Sequence, residues 1–365
     1  DLRRRLASTR WPDEVAAAGW DYGTSLDYLK ELCAYWLEEF DWRAQEAKLN
    51  AFDQFRGRIG DQWIHFVHVR SGRSGALPLI ATHGWPSTFF ELLKLVPRLT
   101  EGPSGEPAFD LVIPSMPGYG FSSRPSERYF SASVPELWRA LMEGLGYPQF
   151  FAHGGDIGGG VTARLGQRHP DAVLGIHVTN VYGSIAGDDP PPSEAERRYL
   201  EQEESWRSRE WAYGVIQGQR PQTLGYGLND SPAGLAAWIV EKYRAWSDCG
   251  GDVETVFTKD ELLTNITLYW VTETITSSFR PYWDRNHDPD PSPWAPITVP
   301  TGVAIFPGDL ARPPREFAER SYNVQQWTEM PRGGHFAALE QPDLLAADIR
   351  RFCSMIARRR AACGS

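Results

Sequence analysis

His153-Gly154-Gly155-Asp156-Ile157-Gly158-Gly159-Gly160 lies between a hydrophobic strand candidate at 149–152 and a stretch able to form a helix. Small residues at 154 and 158 flank Asp156 at two-residue distances, where a tight strand-to-helix reversal would otherwise clash. Such a reversal projects its central side chain and exposes the backbone amide that follows. Asp156 then occupies the place of a nucleophile. The same letters also read as a glycine-rich turn or as a phosphate loop capped by Asp156. A P-loop would need a lysine and a hydroxyl ending, and the dinucleotide spacing is not met; a plain turn stays open on these eight residues alone.

Working outward, short apolar strands alternate with helices on both sides of this run. Residues 78–82 and 110–114 read as strands, 86–99 and 134–145 as helices, and 173–179 continues the rhythm. This order predicts a mostly parallel sheet with both faces covered. Over 63–70 the period falls to two, with Trp63, His65, Val67 and Val69 alternating against Ile64, Phe66 and His68. His65 and His68 are therefore read as sheet residues and not as a metal pair. Residues 303–306 form a further strand candidate. Leu344, Leu345, Ile349, Phe352 and Ile356 give the last helix an apolar face, with Pro342 near its start.

Leu29, Leu32 and Trp36 repeat at helical spacing near the start of the chain, and this aromatic face is expected to pack against the main body. Between 182 and 299 the pattern changes again. Residues 188–192 are turn-like, 233–243 and 262–278 have helical spacing, and 287–296 is a linker rich in Pro and Asp. A helical insertion fits, forming a lid over the sheet's carboxyl edge, where open α/β sheets bind their ligands. The expected division is an N-terminal helical extension at 1–60, a core at 61–182 and 299–365, and a lid at 183–298.

A chain of 365 residues with 41% apolar and 23% charged residues can bury a large core, which argues against long disorder. The net charge of −10 offers no attraction to a phosphate backbone, and Arg358, Arg359 and Arg360 are best explained as a solvated helix end. Cys33, Cys249, Cys353 and Cys363 lack metal-ligand spacing and a disulfide framework, so a reduced, cytoplasmic protein is the default. No apolar run is long enough to span a membrane.

Taken together, several stretches closely resemble the microsomal and juvenile-hormone type of epoxide hydrolase in the α/β-hydrolase superfamily. They are Phe40-Asp41-Trp42-Arg43, His83-Gly84-Trp85-Pro86, Gly154-Gly155-Asp156-Ile157-Gly158, Asn229-Asp230-Ser231-Pro232 and Gly333-Gly334-His335-Phe336-Ala337-Ala338. The resemblance runs from residues 2–11, which look like the middle of that branch's N-terminal segment, to the last helix. It implies an α/β-hydrolase fold and a cofactor-independent conversion of an epoxide to a vicinal diol. Asp156 would open the ring and form an alkyl ester, and His335, oriented by Asp309, would activate the water that cleaves it. A carboxylate needs no base to begin, being ionised at neutral pH, whereas breaking the ester requires one. The backbone N–H groups of Trp85 and Ile157 would form the oxyanion hole.

An epoxide's leaving oxygen stays attached to the product and develops alkoxide charge, which two neutral phenols can hydrogen-bond and protonate. The family pair falls on Tyr213 and Tyr282, both in the expected lid. A haloalkane or haloacid dehalogenase shares the aspartate, histidine and acid but needs halide-stabilising donors where this chain offers phenols. Serine-type ester hydrolysis is disfavoured by Asp156 itself. A catalytically silent binding protein would be expected to have lost a member of the Asp156, His335 and Asp309 set. The expected partners are a small apolar epoxide and water, with no metal, cofactor, nucleic acid or integral membrane association; a homodimer is left open. Microsomal relatives carry an N-terminal membrane anchor, which this sequence does not show.

Overall fold

The computed structural model of the chain describes residues 1–103, 105–128, 130–183, 185, 189–287 and 295–363. Its frame is an eight-stranded sheet of β1 (Gln54–Ile59), β2 (Gln62–Val69), β3 (Leu77–Thr82), β4 (Phe109–Pro114), β5 (Phe150–Gly154), β6 (Val173–Val178), β7 (Ile297–Ile305) and β8 (Tyr322–Glu329) in the order β1-β2-β4-β3-β5-β6-β7-β8. β1 and β2 are antiparallel, as are β2 and β4, and all later pairings are parallel. This is the α/β-hydrolase fold, with N-terminal helices and a helical lid. Alternation along the strands splits the core in two. Ile80, Val112, Ala152 and Ile176 pack on one face with Trp138 and Leu165. Leu79, Ala81, Leu111 and Phe151 pack on the other with Leu345, Ile349 and Phe352 of the last helix, Pro342–Cys363.

Edge strands β1 and β8 carry little apolar surface, with Tyr322 and Val324 of β8 alternating against exposed Asn323 and Gln325. Their sequences, Gln-Phe-Arg-Gly-Arg-Ile and Tyr-Asn-Val-Gln-Gln-Trp-Thr-Glu, are polar. Edges need little apolar surface, and charge there discourages pairing with another chain. The helix expected over 86–99 starts later and in two pieces, a 3-10 segment at Phe89–Lys94 and an α-helix at Leu95–Thr100. Pro97 has no N–H with which to continue one ladder through both. Likewise 262–278 divides into Lys259–Thr272 and Ile275–Ser278, because Glu273 closes the first helix at φ 52°. A left-handed glutamate leaves no mark in a hydrophobic period.

Among the described residues, seven α-helices and a 3-10 helix at Val253–Thr255 lie between β6 and β7, from Glu194–Glu210 to Arg280–His287. Glu194–Glu210 buries only Glu196 and Tyr199 and so shows no apolar stripe; its start is set by a capping box between Ser193 and Glu196. Part of the turn-like stretch, residue 188, and most of the Pro- and Asp-rich stretch, 288–294, lie outside the described residues. The N-terminal helix Leu26–Glu38 buries Leu29, Leu32, Cys33 and Trp36. Residues before, on and after this helix make polar contacts with the lid, Gln45 from the following helix Trp42–Leu49. Thr24 Oγ1 donates to the Ala237 carbonyl (2.8 Å), Tyr35 Oη to Asp260 Oδ1 (3.0 Å) and Gln45 Nε2 to Asp260 Oδ2 (2.9 Å). Among the described residues no helix is long and apolar enough to cross a membrane.

Candidate active site

Asp156 stands between the end of β5 and the helix Asp156–Arg168, with φ at 48°. A non-glycine residue in this left-handed region costs about 1–3 kcal/mol, and such strain collects at functional sites. The glycines around it are required by close approach. A Cβ on Gly154 would lie 2.2 Å from the Gly158 carbonyl oxygen, and one on Gly158 would lie 2.1 Å from that of Thr82. Even Gly84, opposite, would meet the Asp156 side chain at 2.4 Å. The run is thus an elbow and not a plain turn. Trp85, just beyond β3, donates its backbone N–H to Asp156 Oδ1 at 2.8 Å, and the Ile157 N–H also hydrogen-bonds this carboxylate.

The other polar groups arrive from the carboxyl ends of neighbouring strands. His335 follows β8; its Nε2 lies 3.6 Å from Asp156 Oδ2, and its Nδ1 lies 2.7 Å from Oδ1 of Asp309, which follows β7. The first separation is an ion-pair contact too long for a hydrogen bond. Asn180, just past β6, links the two acids. Its Oδ1 accepts the Asp156 N–H (2.6 Å), and its Nδ2 donates to Asp309 Oδ2 (3.1 Å).

The histidine loop is pinned from both sides. Glu340 accepts the N–H groups of Gly334, Phe336 and Asp248, each at 2.9 Å. Asp248 accepts the Gly333 N–H (2.9 Å), and the His335 N–H donates to the Trp246 carbonyl (2.8 Å). Asn180, Asp248 and Glu340 belong to no motif singled out in the sequence. Only the spacing of Glu340, five residues beyond His335, hinted at a local contact.

Burial alone would raise the Asp156 carboxyl, but the His335 cation and the Ile157 and Trp85 amides outweigh it and hold the group below the usual carboxylate range. His335 moves the opposite way. Burial disfavours its cation, yet the negative charges of Asp309 and Asp156 raise it well above the ordinary imidazole value. Both shifts favour the charged forms, Asp156 as carboxylate and His335 as cation.

Tyr213, on Ala212–Gln219, and Tyr282, on Arg280–His287, meet above this group, with ring centroids 6.0 Å apart and a hydrogen bond between their phenols. The Tyr213 ring stacks on Trp85 at 5.1 Å and 8°. Burial first pushes both phenols well above their ordinary value, followed by the charge of Asp156 for Tyr213 and by Tyr213 and then Asp156 for Tyr282, so both are neutral phenols. All seven residues expected at the site are thus brought together. His65 and His68 stay apart from it, bonded to Ser115, Gln54 and Tyr147 within the sheet. Among the described residues no group of three His, Cys, Asp or Glu could hold a metal ion.

A strained carboxylate elbow, a histidine–acid pair and an N–H pair lie together at the carboxyl edge of the mostly parallel sheet of an α/β-hydrolase fold. Comparison with known proteins narrows the class. Residues 1–92 match the family model "Epoxide hydrolase N terminus", and residues 78–225 match "alpha/beta hydrolase fold". A Stigmatella aurantiaca protein named "Putative epoxide hydrolase" is 42% identical over 359 residues, spanning 96% of this chain and 81% of that one. Epoxide hydrolase 1 of Sus scrofa is 36% identical over 98% of this chain and 86% of its own length. The crystal structure of juvenile hormone epoxide hydrolase from Bombyx mori superposes with a TM-score of 0.86 at 29% identity, covering 98% and 90% of the two chains. The chain belongs to the epoxide hydrolase family, related to its juvenile-hormone and microsomal types, and has epoxide hydrolase activity.

Proposed function

We propose that Asp156 performs this hydrolysis as a nucleophile, taking the epoxide carbon to form an alkyl ester while Tyr213 and Tyr282 protonate the departing oxygen. The observation that carries the reading is the single cluster of an ionised Asp156 on its elbow, His335 at 3.6 Å and Asp309 at 2.7 Å beyond it, beneath two neutral phenols. Alkylation abolishes the Asp156 charge, one of the interactions that keep His335 protonated. The imidazolium proton then passes to the phenolate, and neutral His335 becomes the base for water. Attack on the ester carbonyl places negative charge on the oxygen that faces the Trp85 and Ile157 amides. Losing one such donor costs about 3–4 kcal/mol of transition-state stabilisation. Asp309 fixes the imidazole tautomer and steadies the returning cation.

Residues 183–298 act in this scheme as the lid that carries the phenols, over a core of 61–182 and 299–365, with 1–60 as the extension. A cavity beside the elbow, lined by Met116, Val134, Ile157 and Val161 together with Glu127, Ser277, Arg280 and Asp284, gives a largely apolar wall consistent with a small apolar epoxide as substrate. The buried free thiols of Cys33, Cys249 and Cys353 support a reducing compartment, the cytoplasm.

Intact-protein mass spectrometry during turnover of styrene oxide tests the reading. The native enzyme should gain the mass of the epoxide transiently and release the diol. Asp156→Ala should do neither while staying folded, and an adduct persisting in that variant would move the nucleophile elsewhere.

A further inference from the structure

A second cavity borders Asp156 and is lined by neither Tyr213 nor Tyr282. It holds about 20 Å³ and is bordered by Asp156, His335, His153, Thr179, Ser87 and Glu91. A polar cavity needs roughly 10–15 Å³ to accept one water, together with two to four polar partners. This one meets both conditions, and the 3.6 Å between His335 Nε2 and Asp156 Oδ2 leaves the imidazole's inner nitrogen without a close partner on that side.

Glu91 is the polar group on this wall that the ester scheme does not use. It sits on the 3-10 segment Phe89–Lys94, and its carboxylate accepts a hydrogen bond from Ser87, whose Oγ lies 3.2 Å from Tyr243 Oη. The charges facing it are His335, Asp156 and Glu340, with the Tyr243 phenol beyond Ser87. Glu91 also stands in the first turn after the N-cap Thr88, where a carboxylate favours the helix start, and its place on the cavity wall beside His335 and Asp156 gives it a second part to play.

We propose that the water that cleaves the ester sits in this cavity between His335 Nε2 and the Glu91 carboxyl, and that Glu91 is a positioning residue for it. The inference rests on the Asp156 ester described above. Water oxygen adds to the Asp156 carbonyl carbon, and the acyl C–O bond to the substrate breaks. One water hydrogen ends on the product hydroxyl and the other on His335, whose imidazolium is restored; Asp156 regains its carboxylate with one oxygen from water. Glu91 accepts the water's second hydrogen as a hydrogen bond, aims a lone pair at the carbonyl carbon and ends as it began. Burial, opposed by the His335 cation, pushes its carboxyl up to about 7. Its ability to accept therefore changes near neutral pH.

Rapid-quench mass spectrometry on Glu91→Gln separates the two steps. Ester formation should stay within about twofold of the native rate. Ester decay should slow by about tenfold or more, and the limb of its pH profile near 7 should disappear. Glu91→Asp should restore part of the rate and the limb. If Glu91→Gln does not fold, Ser87→Ala removes the hydroxyl that favours the Glu91 carboxylate and should move the limb upward. A folded Glu91→Gln with native decay and an unchanged pH profile overturns the inference, as does a parallel fall in both steps. Failure of the ester reading looks different: no adduct would then accumulate even in His335→Gln.

Discussion

Asn180 spends one side chain on two acids, receiving the Asp156 N–H and donating to Asp309. Asn180→Ala should therefore loosen elbow and relay together, lowering ester decay by about tenfold or more in single-turnover assays; native kinetics would make the residue dispensable. The phenols act one step earlier. Either Tyr213→Phe or Tyr282→Phe should slow ester formation, and the pair together should slow it by about 100-fold or more, with decay of a preformed ester little changed. Native-rate adduct formation in the double variant would remove the phenols from the mechanism. The pH dependence has a definite sign. Asp156 lies below the usual carboxylate range, so attack persists as pH falls, whereas hydrolysis needs neutral His335 and is lost as pH drops through the ester-state imidazole value. Acid should thus make the native enzyme accumulate its ester, visible by mass spectrometry; equal slowing of both steps would contradict this assignment. Asp156 and His335 could be singled out because motif residues surround them. Asn180 could not, since its importance arises only where β6 ends beside β5 and β7.

At the scale of elements, the site depends on a loop that has almost no structure of its own. Gly333 to Phe336 is held by Asp248 from the lid side and by Glu340 from the helix Ala337–Glu340. Glu340→Ala would strand three backbone N–H groups, each costing about 1–3 kcal/mol if left buried and unpaired. The expected outcome is a lower thermal midpoint together with slowed ester decay, measured by scanning calorimetry and rapid quench; a stable variant with native decay would show that the loop holds itself. The strands β2 to β6 were legible because a central strand must be apolar or alternate cleanly. β1 and the helix Glu194–Glu210 were not, because their exposure removes the period that would reveal them, and in β8 only Tyr322 and Val324 keep it. For that helix, Ser193 and Glu196 at capping-box spacing were the one available signal.

The whole molecule is a sheet and a lid joined by a third party. The N-terminal segment grips the lid through Thr24, Tyr35 and Gln45, while Leu32 and Trp36 are sealed into the same apolar cluster as Tyr213, Tyr243 and Tyr282. Leu32→Ala, at a fully buried position, should cost about 2–5 kcal/mol and be felt at the phenols before the elbow, so ester formation should weaken more than ester decay. Denaturant unfolding and single-turnover assays check this, and an equal effect on both steps would place the extension outside lid support. The lid as a helical insertion was readable from the change of pattern after residue 182, but its attachment to the extension was not, because contacts between residues some 200 apart leave no local trace. The central claim, that catalysis passes through an ester on Asp156, is tested most directly by His335→Gln mixed with excess styrene oxide and digested for peptide mass mapping. The account predicts a burst of substrate loss, no steady turnover and one epoxide mass fixed on the peptide containing Asp156. Continued turnover, or an adduct mapped to another residue, would contradict it.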